Sequence, residues 1–546
     1  MQHTAGALSI AITSLVLAAA PAAVPGGPIS TQDAVLTGRV TVQETDRTVP
    51  VRRARVIVSG AASAMVLTTD TDTEGRFRIS GLPAGPVRLR VEKPGFVMPG
   101  RGSFRTLGVP VTLAAGGTTT QNVAMLRGAA LEGQVVNENG RPVSDAEMSA
   151  VRFVHGLTGR HPAEIVATTT DSNGRYRLHT LAPGEYYVRA RLGVTTVPDP
   201  VRVPGRPPLV SVTTYFPGTA RGDQARAILV GPGQEVRGLD FAMPSAEVAT
   251  VSGTVIDSGG RVAPRMTMRM QAVGGPTGEV RGGFLPQNGS FFFRNVPPGD
   301  YWISAVTDSD DRGIEAVVYR LPVSGTDVPN VTLRTAAGRV VSGRIVVDGD
   351  AAAPPGVRVV PHGTAFELPR PRDMAGDGSA PVAGDGAFEL HGLFGPSLLR
   401  VEGLPPGHAL AAVLLDGADI TDVPTDFQTS NGTVELNVTA RTGHVTGVVT
   451  DAAGAALAGV TVVAFAVDDS TWGGLSRHVR AVETGPDGGF AFDGLLPGGY
   501  FVAAAPNLEQ NGWMSPNVLR RLSHDRPITV SAGESVTIAL TEGGLR

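Results

Sequence analysis

The sequence contains no cysteine. That excludes disulfides, thiolate zinc sites, iron–sulfur clusters, thiol nucleophiles and acylation at a cysteine. Lysine is nearly absent too: Lys93 stands alone among 46 basic residues. There are three tryptophans and ten histidines in 546 residues, and the net charge is −4. So small a net charge provides no broad basic field, and no nucleic-acid partner is expected. Past the amino terminus no apolar run nears the ~18 residues of a membrane helix, so no transmembrane span is expected. A 3.6-residue period is nowhere sustained, apart from one helical turn expected near 517–522. G-x-S-x-G, P-loop, H-E-x-x-H and dinucleotide fingerprints are all missing. The chain is therefore expected not to be an enzyme and to need no cofactor and no metal.

What is present is turn chemistry and apolar residues. Glycine (71) and proline (42) make up about a fifth of the chain, while 42% hydrophobic content supplies enough apolar surface for several cores. Residues 7–20, ALSIAITSLVLAAA, form an uncharged run of 14 residues followed by Pro21-Ala22-Ala23. Such a run is too short to span a bilayer and ends in a small-residue cleavage pattern. Residues 1–23 are read as a signal peptide cut near Ala22-Ala23, and 24–34 as a linker. The expected location is secreted, periplasmic or cell-surface.

Three blocks then recur five times. The first reads LTGRV, LEGQV, VSGTV, VSGRI and VTGVV, with glycines at Gly38, Gly133, Gly253, Gly343 and Gly447. These are 95, 120, 90 and 104 residues apart, the size of a small β-sandwich. The second block, DTEGRF, DSNGRY, PQNGSF, AGDGAF and GPDGGF, is hairpin chemistry: an Asp or Asn, a turn Gly and an aromatic two residues later. The third carries a Pro-Gly corner, as in GLPAG (81–85) and GLLPG (494–498). In the fourth copy the order is reversed to Gly395-Pro396, which predicts a differently shaped corner. Alternating segments such as FRISGL and VRLRVEK read as half-buried strands. The fold expected is all-β: five tandem antiparallel Greek-key β-sandwiches, at 35–127, 128–245, 246–335, 336–440 and 441–546. Joints of two or three residues, as near 335–338, favour a semi-rigid rod.

Together these blocks resemble the carboxypeptidase regulatory-like domains, relatives of transthyretin-like and Cna B-type prealbumin-like (Ig-like) sandwiches, over residues 35 to 541. The resemblance implies a non-catalytic extracellular module that spaces, presents or packs beside another domain, with a cell-envelope protein or polysaccharide as partner. The wider fold group includes starch-binding-like domains, so it also implies sugar binding. Cna B-type domains are similar in fold and carry a Lys–Asn isopeptide bond; with Lys93 as the single lysine, at most the first repeat could hold one.

Several motifs hold residue types suited to chemistry. His161-Pro-Ala-Glu164 matches half of a zinc site, with His155 nearby, but is read as a solvated loop. Asp70-x-Asp72-x-Glu74-Gly75 imitates the start of a calcium loop without the later bidentate acid, and is read as a hairpin turn. Arg221-Gly222-Asp223 is an RGD triplet in a loop. Trp302 alternates within a strand, as a core or sheet-face residue. Trp472 and Trp513 fall in long polar loops of the last repeat with Asp468, Asp469, Glu509 and Asn511 around them. Flat aromatic faces beside carboxylates and amides suit a sugar, and this is the candidate binding site. The bland reading is that each tryptophan staples its own loop. The leading function is thus a structural or interaction scaffold, with carbohydrate binding by the last repeat as the alternative.

Overall fold

In the computed structural model the described residues are 33–541 and 544–545, less 45–46, 61–64, 99–107, 157–158, 193–207, 264–265, 275–279, 283–288, 310–312, 349–352, 364–377, 428–431, 486, 506–507, 509–510 and 524–525. The expected signal peptide, nearly all of the linker, Glu509 and the start of the third copy's turn block lie outside them.

Each opening block forms the central strand of a sheet: Ala34–Gln43, Ala129–Asn137, Ala249–Ile256, Arg339–Val347 and Gly443–Thr450. Its antiparallel neighbour is the strand that follows the turn block. In all five copies the block-one glycine lies directly opposite the block-two aromatic: Gly38 and Phe77, Gly133 and Tyr176, Gly253 and Phe291, Gly343 and Phe388, Gly447 and Phe490. The glycine is required by space. A Cβ on Gly447 would lie 2.3 Å from the Ile538 carbonyl oxygen and 2.6 Å from Phe490 Cζ; on Gly38 it would lie 1.9 Å from the Gln121 carbonyl oxygen and 2.7 Å from Phe77 Cζ. The aromatic ring crosses the bare backbone and covers the hole a missing side chain leaves.

The turn block behaves as its chemistry demands. Asp72 Oδ1 accepts from the amides of Glu74 and Arg76 at 3.0 and 2.7 Å, and Asp171 Oδ1 from those of Asn173 and Arg175, both at 2.8 Å. Gly75 and Gly174 take φ of 75° and 71°, where only glycine sits without strain. The Pro-Gly corners also divide as expected. Gly85, Gly184, Gly299 and Gly498 have φ from 114° to 159°, whereas Gly395 of the reversed copy has 65°.

A second sheet faces the first. In the first repeat it runs Val66–Asp70, Arg55–Gly60, Gly85–Glu92, Val109–Leu113, and in the last Val479–Glu483, Thr461–Ala466, Gly498–Ala505, Ile528–Val530. Inward side chains meet in five clusters of buried residues, centred on Leu36, Leu131, Val251, Ile345 and Val445.

The pairing is antiparallel with one recurrent departure. The first and last strands of every repeat run parallel, as in Val40 beside Val123 and Val448 beside Ala539. These two strands are joined through the whole repeat rather than by a hairpin, so nothing forces them antiparallel. The consequence is that the chain enters at one pole and leaves at the other. Joints are short: Gly128 alone separates Val123–Arg127 from Ala129–Asn137, and residues 440–442 separate Val434–Thr439 from Gly443–Thr450.

Candidate functional site

The strand Thr461–Ala466 (TVVAFA) is apolar at nearly every position rather than at alternate ones. Val462 and Ala464 face the sandwich core, while Val463 and Phe465 face outward, both 0% exposed. A strand apolar on both faces needs a cover on each. The cover is built from the two tryptophan loops and a short helix, Pro516–Leu522, whose Leu519 is buried against Val463, Phe465 and Val479. The helical turn expected near 517–522 is therefore present and has this purpose.

Trp472 and Trp513 are brought together on this face, both half-buried. The Trp472 ring stands edge-on to Phe465 at 5.3 Å, and its Nε1 donates to the Ala466 carbonyl at 2.7 Å. Asp468 caps the turn Asp469–Thr471, accepting from the Ser470 amide at 3.0 Å and the Ser470 hydroxyl at 2.7 Å. Those hydrogen bonds hold its carboxyl below the ordinary value. Asp469 is exposed on the same turn, and Asn511 takes a left-handed φ of 59° just before the turn Gly512–Met514 that holds Trp513. The loops are thus not detached from the strands: they are folded onto them, with the indole N–H and the Asp468 carboxylate already engaged.

The same loop reaches the fourth repeat. Arg400 donates through Nε to the Leu475 carbonyl at 2.7 Å and through Nη2 to Asp422 at 2.9 Å; Arg477 stands 3.3 Å from the other Asp422 oxygen. Burial pushes the Arg400 pKa down, and burial with the Arg477 charge does the same to His478. The third repeat has a lock of its own, which closes on its last residue, Thr335. Glu315, 2% exposed, accepts from the Ser258 amide at 2.9 Å, the Ser258 hydroxyl and the Thr335 hydroxyl at 2.5 Å. Burial would raise its pKa, and the hydrogen bonds outweigh that and hold it below the ordinary value. No motif spacing announces either lock, because their members are 20 to 77 residues apart.

The remaining motifs resolve simply. His161 and Glu164 lie in the strand Gly159–Thr169, not in the loop expected, because Ala163 and Ile165 alternate inward and draw the segment into the sheet. Glu164 accepts from Ser149 at 2.8 Å and pairs with Arg189. The RGD triplet closes on itself, with Arg221 Nη2 2.7 Å from Asp223. Trp302 lies on the outer face of its sheet, 36% exposed. Lys93 donates to the Arg53 backbone carbonyl at 3.2 Å. Among the described residues, no group of three or more His, Asp or Glu could hold a metal ion, and no helix is long and apolar enough to cross a membrane.

The profile of the carboxypeptidase regulatory-like domain matches residues 35–126, 130–243 and 444–541, more than half of the chain. No curated protein matches it. Among solved structures, the Bacillus anthracis TIE protein is 15% identical, with 56% of this chain and 51% of that one covered and a TM-score of 0.17, so this chain spans about half its length. The shaft pilin SpaA from Lactobacillus rhamnosus GG is 13% identical over 40% of this chain and 98% of that one, TM-score 0.19. A variant of BcpA, the major pilin subunit of Bacillus cereus, is 12% identical over 56% and 99%, TM-score 0.15. The recurring glycine–aromatic pair, the capped turn and the profile match agree: the chain belongs to the carboxypeptidase regulatory-like domain family.

Proposed function

We propose that this protein is an exported, non-catalytic scaffold: a string of five β-sandwich modules, at 35–127, 128–245, 246–335, 336–440 and 441–546, that spaces or presents a binding surface at the cell exterior. The observation that carries this is the parallel pairing of first and last strands. It sends entry and exit to opposite poles, and with joints of one to three residues it strings modules end to end. The string also folds back on itself: the turn Gly512–Met514 of the last module touches the strand Ala146–Gly156 of the second, and a Cβ on Gly459 would lie 3.9 Å from Val109 of the first. Small-angle scattering tests this: a radius of gyration above about 30 Å is expected, and about 24 Å, that of a 546-residue globule, would overturn it.

The alternative is carbohydrate binding by the last module, favoured by the convergence of Trp472 and Trp513 on one face. It requires the Trp472→Ala, Trp513→Ala variant to lose retention on a polysaccharide while keeping the parent's melting temperature. A fall in melting temperature with retention unchanged removes it.

A further inference from the structure

The small net charge hides a strong division along the chain. Residues 35–127 hold 13 Lys and Arg against 6 Asp and Glu, a net of +7, while residues 336–440 hold 6 against 13, a net of −7. The first repeat is a basic body on an acidic chain.

Its arginines are not dispersed among acids as in the next repeat. On the outer face of the first sheet, Arg39 lies directly opposite Arg76, and Thr37 opposite Arg78. All three arginines are exposed. Arg39 Nε donates to the Glu74 backbone carbonyl at 2.8 Å. Among the described residues, the Arg76 and Arg78 guanidinium groups have neither a hydrogen bond nor an ion pair. In the second repeat the Thr37–Arg78 position reads Glu132 opposite Arg177, which pairs with Glu132 and also holds Glu235 at 2.9 Å, and the Arg39–Arg76 position reads Gln134 opposite Arg175. At the Arg39–Arg76 position the other three repeats place Thr254 opposite Ser290, Arg344 opposite Ala387 and Val448 opposite Gly489. Like charges directly opposite on a sheet destabilise it. Of the five copies of this position, the first alone sets two like charges face to face.

The arginines line a shallow groove of about 590 Å³ with Thr37, Thr120 and Asn122. Asp70 and Asp72 stand at its turn end, Asp72 already capping two amides. The groove's one aromatic, Phe77, is 5% exposed beneath it, so neither base stacking nor an apolar anchor is offered. What is offered is guanidinium forks that match carboxylates, beside hydroxyl and amide groups that match sugar hydroxyls. We infer that the outer face of the first sheet, at Arg39, Arg76 and Arg78, binds a linear acidic polysaccharide of the polyuronate class. This deepens the scaffold reading by naming its partner. Scattering reads the shape and retention reads the groove, so either can fail alone.

The test is retention of the full chain on immobilised polygalacturonate at low salt, with dextran and polyphosphate as comparison matrices. The parent is expected to bind polygalacturonate, to pass through dextran, and to elute from polyphosphate at lower salt. Each Arg→Gln change in the groove should cost about tenfold, the loss of one charge-assisted contact, so R76Q/R78Q should lose about a hundredfold, with a melting temperature at or above the parent's. R88Q/R90Q removes the same charge from the opposite sheet and should change binding less than about threefold. R78Q alone keeps the test open if the double variant does not fold. The inference is overturned if the parent is not retained, if dextran retains it equally, if polyphosphate holds it more tightly, or if R88Q/R90Q loses as much as R76Q/R78Q.

Discussion

The second sheets of the first and last repeats share a topology and treat their outer faces in opposite ways. In the last repeat, Val463 and Phe465 point outward and are sealed by a helix and two tryptophan loops. In the first, the matching strand Arg55–Gly60 turns Arg55, Ile57 and Ser59 outward and, among the described residues, carries no such cover. The fold depends only on the inward residues, so the outward set is free to vary. A covered face is structure, while a bare one is available to a partner. This is why tryptophans in the last repeat are poor guides to binding, and why unpaired arginines in the first are better ones.

The comparison can be broken or sharpened by substitution. The largest effect belongs to what both repeats share. Gly447→Ala forces a Cβ against the Ile538 carbonyl and the Phe490 ring and should cost the last repeat about 3 kcal/mol. In calorimetry it should lower one transition and leave the first repeat's unchanged. Next comes the contrast itself. Trp472→Ala strips the cover from Phe465 and should cost about 2 kcal/mol, whereas Ile57→Ala on the half-exposed outer face should cost less than about 1 kcal/mol. Equal losses, measured by chemical denaturation, would erase the distinction between covered and bare.

Smaller effects lie at the joint of the fourth and fifth repeats and within the third. Asp422→Asn removes the anion between Arg400 and Arg477 and should cost about 1–2 kcal/mol. Protease should then cut first between the fourth and fifth repeats. Glu315 supplies a pH test. Its folded pKa is depressed below 4.5, so its contribution is complete above that value and disappears as pH falls through the depressed one. The third repeat's melting temperature should therefore fall on acidification, and Glu315→Gln should flatten that slope.

Much of this was legible in the sequence because it is local. A glycine every hundred residues, an Asp-x-x-Gly turn and a Pro-Gly corner each act within a few residues, and the odd corner of the fourth copy could be read from Gly395-Pro396 alone. The glycine–aromatic pairing was one step further off, since it needs the register between two blocks. What could not be read was tertiary. The parallel closure joins strands about 85 residues apart, and the Arg400–Asp422–Arg477 lock joins two repeats. The candidate sugar site was drawn from residue types, and those types equally suit a loop packed onto a sheet. The apolar run TVVAFA was the signal that this sheet needed an outer cover. Averaging the charge over 546 residues concealed the basic first repeat, which a count taken repeat by repeat exposes.

The central claim is that each repeat is a body with its own core, joined to the next by a short strap. Scanning calorimetry of the whole chain reads this directly, by comparing the heat absorbed with the enthalpy inferred from the sharpness of melting. Separate bodies predict a calorimetric enthalpy several times the van't Hoff value, resolved into more than one transition. A ratio of one, with a single transition that Gly447→Ala shifts as a whole, would contradict it.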